Sequence, residues 1–447
     1  EFDAGPIWAS HEFALDADSS AKSSLYRGQV TEAAVRGVLE AVARIETGEF
    51  RSGAWQPQKL SEVSPPPRGC LRPPMRQSGR AIDWTQDSTA MILRKIGAAD
   101  SAPGVLGTLL GKTCFLYGAH AEDRLSGPAG KVLAKRDGAI CIGTIDGAVW
   151  ISHLMAKAEA QGVISFAQPC MGDAEPYPVA GIKLPAAQVL GTLLASVPEV
   201  PMPVDAPEGQ RTFREIVYTE EGDVGTLSFD FYNGAMSTSQ CRRLRHAFLH
   251  ARSRPTKVIV LQGGRDFWSN GIHLNVIEAS ADPAVESWRN INAIDDLIFE
   301  ILNSMSHLVI SGLRGNAGAG GAMLALAADR VYARSGVVLN PHYRSMGGLY
   351  GSEYWTYTLP RRVGSRRALE LTLSCKPIGT RVARRIGFLD DAFGEDNAVF
   401  EAGLRERARQ LAGDPEFRLM LRKKHETRLD DESVKPLANY RAEELER

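Results

Sequence analysis

Hydrophobic and polar positions alternate along this chain with three different rhythms. In "AVRGVLEAVARIETGEF" (34–50) the apolar residues recur at helical spacing, which predicts an amphipathic helix. In "TCFLYGAHAE" (113–122) and "GKVLAKRDGAICIGTIDGAVWISHL" (130–154) short apolar runs are broken by Gly-containing turns, the pattern of paired strands. After residue 211 strand and helix patterns take turns. "GTLSFDF" reads as a strand, "STSQCRRLRHAFLHARS" as a helix and "TKVIVLQG" as a strand; "AVESWRNINAIDDLIFEILNSM" is a long helix and "HLVISGL" a further strand. Such alternation predicts an α/β domain.

Proline separates these rhythms. "SEVSPPPRGCLRPPMRQ" (61–77) and "SVPEVPMPVDAPEGQ" (196–210) cannot continue a helix or a central strand, because proline lacks the backbone donor and fixes φ. The expected organisation is a first segment over 1–60, a small β-rich domain over 61–195, a proline-rich linker over 196–211, an α/β domain over 212–412 and a helical extension over 413–447.

Composition narrows the function classes. With 447 residues, 44% hydrophobic and 23% charged, the chain has material for two or three cores. A formal net charge of -1 gives no global pull toward nucleic acid or an anionic membrane. No apolar run approaches the roughly 18 residues of a membrane span. The six cysteines are scattered without a CxxC pair, so no metal site is expected and a reducing cytoplasm is the expected compartment. The start, "EFDAGPIWAS", has neither an initiator Met nor a signal-peptide pattern, and reads like the middle of a fold whose upstream part is missing.

The chemistry concentrates in glycine. "RGNAGAGGAMLALAADR" (314–330) places four glycines where a helix begins, at a cost of roughly 1 kcal/mol each against alanine. Either a backbone must approach a ligand there, or two elements must pack very closely. "LQGGRDFWSNGIHL" (261–274) is a second such stretch after an apolar strand. Neither carries GxxxxGK[ST] or a strict GxGxxG, so a nucleotide loop is not supported.

Taken together, the two stretches resemble the crotonase (enoyl-CoA hydratase/isomerase) superfamily, with "LPRRVGSRRALELTLS" (359–374) and "ARRIGFLDDAF" (383–393) as further matches. That resemblance implies a ββα spiral that binds coenzyme A thioesters. It assigns the two oxyanion-hole N–H groups to Ile272 and Gly320, and the surrounding CoA contacts to Phe267, Gly271 and Gly321. Backbone donors and a helix N-terminus would favour developing negative charge on the thioester oxygen. The departures matter as much. Met323 and His342 occupy the positions at which hydratases of the superfamily carry glutamates, so hydration has no acid–base pair here. "NPHYRSMGGLYGSEYW" (340–355) is instead rich in His, Tyr and Glu; these are either packed aromatics and a solvated acid, or the replacement chemistry.

The front of the chain resembles folate-dependent formyltransferases, on "DAGPIW" (3–8) and "GRAIDWTQDSTAMILRKIGAADSAPGVLGTLLGK" (79–112). The resemblance makes Asp3 the catalytic aspartate and the β-rich domain the formyltransferase C-terminal β-barrel; its Asn and His partners and its folate loop would lie upstream. A formyltransferase fused to a crotonase resembles a family of hydrogenase-maturation proteins, and "RKKHETRLDDESVKPLANYRAEEL" (422–445) resembles that family's tail. The implied activity is formyl transfer from formyl-tetrahydrofolate to CoA, then decarbonylation of formyl-CoA to CO and CoA, the CO serving the nickel–iron hydrogenase. Tyr343 and Glu353 match the family's Tyr and Glu that flank the thioester. Implied partners are formyl-CoA and hydrogenase-maturation proteins, with no nucleic acid and no membrane. An ordinary acyl-CoA hydratase or isomerase and a non-catalytic CoA-binding module are the alternatives. Of the weaker features, His246 and His250 share a helix face without a third ligand, and "LRKKHETR" (421–428) is either a site for the CoA 3′-phosphate or solvated surface.

Overall fold

The computed structural model describes residues 5–15, 21–53, 55–63, 72–157, 181–207, 209–343 and 350–447. Asp3 lies outside them, and the 340–355 stretch is described at 340–343 and 350–355. The chain divides into two compact units, one of Glu1–Val200 with Gln210–Phe213, the other of Pro201–Gly209 with Arg214–Arg447.

In the first unit six strands form one antiparallel sheet: β1 (Val105–Leu109), β2 (Lys112–Glu122), β3 (Val132–Arg136), β4 (Ala139–Gly143), β5 (Ala148–Ala156) and β6 (Lys183–Pro185). They run in the order β1-β2-β5-β4-β3, with β6 paired to β5. Strands β4 and β5 are buried almost throughout, which explains their continuous apolar runs. Alternate residues still serve opposite faces. Ile140, Ile142, Val149 and Ile151 pack against Ile92 and Ile96 of the helix Thr89–Gly97, whose start Ser88 caps by accepting from the Met91 N–H. Ala139, Cys141, Ala148 and Trp150 close on Phe213. Glu122 is buried beside that face, where it accepts from Trp150 Nε1 at 2.7 Å. The helix read at 34–50 forms as Thr31–Glu46, and Val35, Val38, Leu39, Val42 and Ile45 are exposed along it.

The second unit is a spiral of paired strands. Its large sheet contains β7 (Ile216–Glu221), β8 (Val224–Phe229) and β9 (Val258–Gln262); a short step after β9 lies β10 (Phe267–Ser269), in the small sheet. The pattern repeats with β11 (Leu308–Leu313) and β12 (Asn316–Gly318), then with β13 (Arg330–Arg334) and β14 (Val338–Asn340). β15 (Ile378–Gly379) ends the small sheet and β16 (Asp391–Phe393) the large one. The large sheet has the order β16-β13-β11-β9-β8-β7 and is parallel except at β7; the small sheet has the order β10-β12-β14-β15 and is parallel except at β15. Each turn of chain adds one strand to both sheets, and helices fill the remaining side of the turn. That is the ββα spiral.

Both faces of the large sheet are covered. Leu227, Phe229, Ile259, Leu261 and Val309 face the helices Thr238–Ser253 and Pro283–Leu302. Val224, Val258, Val260, Leu308 and Ile310 face Phe400, Leu404, Ala408 and Ala412, which recur every four residues on the helix Asn397–Gly413. Phe400 is fully buried there. Truncation of such a ring costs about 3–5 kcal/mol. Phe400→Ala is therefore expected to lower the unfolding free energy of the second unit by that amount, read as a lower urea midpoint, and an unchanged midpoint would show that this helix does not hold the sheet.

Candidate active site

The two glycine stretches end on neighbouring strands of the small sheet, since β10 pairs with β12. Beyond β10 the backbone turns through Gly271, whose φ of 77° an L side chain rarely adopts. A methyl group on Gly271 would lie 3.2 Å from the Gly320 nitrogen, so the Gly271–Ile272 backbone and the Gly320 N–H adjoin. The Met236 N–H donates to Gly271 O at 2.9 Å, and Ile272 bridges to Met236 in parallel, which fixes this loop from its other side. At the end of β12 Ala319 has φ 46°, and the helix Gly320–Ala325 starts from it. That helix has only six residues, so the local N–H groups, more than a long macrodipole, are what the site offers. Gly321 is pressed against the Ser269 backbone and its carbonyl accepts from Trp268 Nε1 at 2.9 Å; no larger residue fits. Phe267, half-buried on β10, lies against Gly234.

Glu353 sits directly over Gly320. A methyl group on Gly320 would collide with the Glu353 carboxyl, which is itself buried. The Tyr343 hydroxyl donates to Glu353 Oε2 at 2.7 Å, and the Ser352 N–H donates to the same oxygen at 3.1 Å. Burial pushes Glu353 up to about 8, with the Asp295 carboxylate adding to burial and the Tyr343 hydrogen bond opposing it. Burial and the adjoining Glu353 charge push the Tyr343 phenol well above its ordinary value, so it stays a proton donor. The structure thus places Ile272, Gly320, Tyr343 and Glu353 in one locality.

Met323 is fully buried in apolar surroundings, and His342 is half-buried with Nδ1 3.1 Å from Asn340 O. Lys424 of "LRKKHETR" donates to His307 O and Asp329, and Arg428 to Tyr357 and Glu432, so these two cations are occupied within the unit. No group of three or more His, Cys, Asp or Glu among the described residues could hold a metal ion. None of the helices among the described residues is long and apolar enough to cross a membrane.

Two further acids belong to this cluster and escape a reading of the sequence. Asp295, on the helix Pro283–Leu302, accepts the Glu353 N–H at 2.9 Å and the Ser352 hydroxyl at 2.8 Å. Glu444, on the helix Leu437–Glu446, accepts the Tyr354 N–H at 3.0 Å and the Thr356 N–H at 2.8 Å. Their sequence signals are faint. Asp295 stands three residues before the core residue Ile298, and Glu444 ends an i, i+3, i+4, i+7 face of Leu437, Tyr440 and Arg441.

The comparisons bear on both units. Residues 230–443 match the enoyl-CoA hydratase/isomerase family, and residues 74–168 match the formyl transferase C-terminal domain. The hydrogenase maturation factor HoxX of Bradyrhizobium diazoefficiens is 45% identical over 447 residues, which cover 100% of this chain and 72% of that protein. The crystal structure of HypX from Aquifex aeolicus in complex with tetrahydrofolic acid shares 43% identity at a TM-score of 0.88, over 100% of this chain and 73% of that one. A probable enoyl-CoA hydratase of Mycobacterium bovis is 36% identical over 145 residues, 30% of this chain and 48% of that one.

Burial raises the carboxyls of Asp295, Glu444 and Glu353 to about 6, 7 and 8 respectively. Each is raised above its value in the unfolded chain, about 4, so its contribution to stability is full below that value and is lost as pH rises through the folded value. Calorimetric melting of the second unit is expected to fall between about pH 5 and pH 8, and Glu353→Gln, which cannot titrate, should flatten that fall. Parallel wild-type and variant curves would exclude Glu353 as a source of the pH dependence.

Proposed function

Since this chain belongs to the HoxX/HypX family of hydrogenase maturation factors and carries a formyl transferase C-terminal domain with an enoyl-CoA hydratase/isomerase unit, we propose that the latter decarbonylates formyl-CoA to CO and CoA. One observation carries the reading: a buried carboxyl over Gly320 is hydrogen-bonded at 2.7 Å to a phenol, at the place where the crotonase resemblance puts the acyl thioester. The N–H groups of Ile272 and Gly320 bind the formyl oxygen, withdraw density from its carbon and make the formyl hydrogen more acidic. Glu353 Oε1 takes that proton, the C–S electron pair leaves with sulfur, and the remaining carbon and oxygen depart as CO. The thiolate receives a proton from the Tyr343 hydroxyl, and the protonated Glu353 carboxyl then turns to present its acquired hydrogen to the Tyr343 oxygen and returns it. The cycle is redox-neutral and returns both residues to their starting forms. Phe267, Gly271 and Gly321 shape the CoA channel beside the carbonyl.

Formyl-CoA is supplied, in this reading, by formyl transfer from formyl-tetrahydrofolate to CoA. The Aquifex relative's complex with tetrahydrofolic acid and the formyl transferase domain support that half, in which Asp3 matches the catalytic aspartate of a site that is incomplete in this chain. The CO goes to the nickel–iron hydrogenase through maturation partners in the cytoplasm. Hydratase chemistry is disfavoured, because Met323 and His342 supply no carboxylate.

Formyl-CoA given directly to this chain, with CO trapped on a haem protein, tests the reading. CO release should rise with pH as Glu353 ionises near 8, because the base form is the carboxylate. Glu353→Gln is expected to retain CoA affinity and lose release, and Tyr343→Phe to slow release about 10²-fold. Parental rates in both variants would leave the unit as a CoA-binding module.

A further inference from the structure

Glu353 is held in an uncommon backbone. Both Glu353 and Tyr354 have positive φ, 61° and 54°, and neither is glycine. Consecutive left-handed residues of this kind cost on the order of 1–3 kcal/mol each and persist only where neighbours fix them. The neighbours are two carboxyls from elements remote in sequence. Asp295 accepts from the Glu353 N–H and the Ser352 hydroxyl; Glu444 accepts from the N–H groups of Tyr354 and Thr356 and from the Thr356 hydroxyl. The Ser352 Oγ lies 2.8 Å from Asp295 Oδ2 and 3.3 Å from Glu444 Oε2, so one hydroxyl joins the two acids. Arg441, on the same helix as Glu444, reaches back to Asp296, to Asn292 and, at 3.5 Å, to Asp295. The helix Leu437–Glu446 is thereby fastened to both the corner and the helix Pro283–Leu302.

We propose that Asp295 and Glu444 are positioning residues that hold the Ser352–Tyr354 corner so that the Glu353 carboxyl stands over Gly320, which makes the helix Leu437–Glu446 a working part of the site. This rests on the reading of Glu353 as the base. A neutral amide has one accepting oxygen and cannot replace either acid. Glu444 takes the Tyr354 N–H on Oε2 and the Thr356 N–H on Oε1, and Asp295 takes the Glu353 N–H on Oδ1 and the Ser352 hydroxyl on Oδ2. Carboxyls add something amides cannot: like charge beside Glu353 strengthens it as a proton acceptor. Among the described residues, the ionisable groups that face Glu353 are the Tyr343 hydroxyl, Asp295 from one helix, Glu444 from another with Arg441 beside Asp295, and the Cys241 thiol from the helix Thr238–Ser253. Asp295 and Glu444 both push Glu353 upward.

Steady-state CO release from formyl-CoA, measured from about pH 6 to about pH 9, separates this role from mere structure. Glu444→Gln and Asp295→Asn are expected to leave KM for formyl-CoA unchanged. They should lower kcat about 10²-fold through misplacement of the base, and move the rising limb of the pH profile to lower pH, since a negative neighbour has gone. Thr356→Val removes only one donor to Glu444 and guards against a variant that fails to fold; it should lower kcat less, again at unchanged KM. If the folded variants keep the parental kcat and the parental limb while Glu353→Gln is inactive, the positioning role is overturned and the base stands. If Glu353→Gln also releases CO normally, the base assignment itself has failed, and this inference with it.

Discussion

A carboxyl group buried against the backbone of Gly320 is the constraint around which the second unit is arranged. Glu353 lies over Gly320, so nothing larger than hydrogen can stand at that α-carbon. An isolated buried carboxylate is strongly disfavoured, and hydrogen bonds together with partial protonation offset that cost. Here the offset comes from the Tyr343 hydroxyl and the Ser352 N–H, while burial and the adjoining acids hold the group near 8. The two donors come from the segment just beyond β14 and from the corner after it, and the long helix Pro283–Leu302 supplies Asp295, which accepts from the Glu353 N–H; the spiral brings these segments together. The fold is the means by which an acid of raised proton affinity comes to face a glycine backbone.

Much of the architecture was legible because it follows from period. The continuous apolar runs of β4 and β5 divide their side chains between two buried faces, Ile140 and Ile142 on one and Ala139 and Cys141 on the other. The strand–helix rhythm after residue 211 becomes the spiral, and the formyl transferase and enoyl-CoA hydratase/isomerase families match residues 74–168 and 230–443. The glycine stretches were readable for a different reason. Four glycines at a helix start make sense only where a backbone is approached closely, and Gly320 and Gly321 are so approached.

The carboxyl cluster resisted the same reading. Glu353 and Tyr343 stood out through family resemblance and because they are concentrated in one short stretch. Asp295 and Glu444 lie 58 and 90 residues from the backbone groups that they accept from, and nothing local marks them. Asp295 reads as one acid in a long amphipathic helix, and Glu444 as one of several in a charged tail. A long-range hydrogen bond leaves no periodic trace. Positive φ at two non-glycine residues is likewise invisible in composition, since only tertiary contacts make it tolerable. Asp3, to which the formyltransferase resemblance assigns the catalytic aspartate, lies outside the described residues.

The relation between Met323, His342 and Glu353 shows how one scaffold can exchange its proton chemistry. The superfamily resemblance assigns positions 323 and 342 to the hydratase acids. In this chain Met323 has joined the apolar core and His342 contacts its own segment at Asn340. The proposed oxyanion hole would survive that exchange, because it is made of backbone N–H groups whose placement depends on Gly271, Ala319 and Gly320 and on no particular side chain. The acid can therefore move. A corner further along the segment that follows β14, whose N–H groups donate to Asp295 and Glu444, brings a carboxyl to Gly320. Hydration needs a water held between two carboxylates, whereas loss of CO needs a single base at the carbonyl hydrogen and a donor for sulfur. In the proposed reaction one buried Glu with one phenol at 2.7 Å would meet the second requirement, and it does not meet the first.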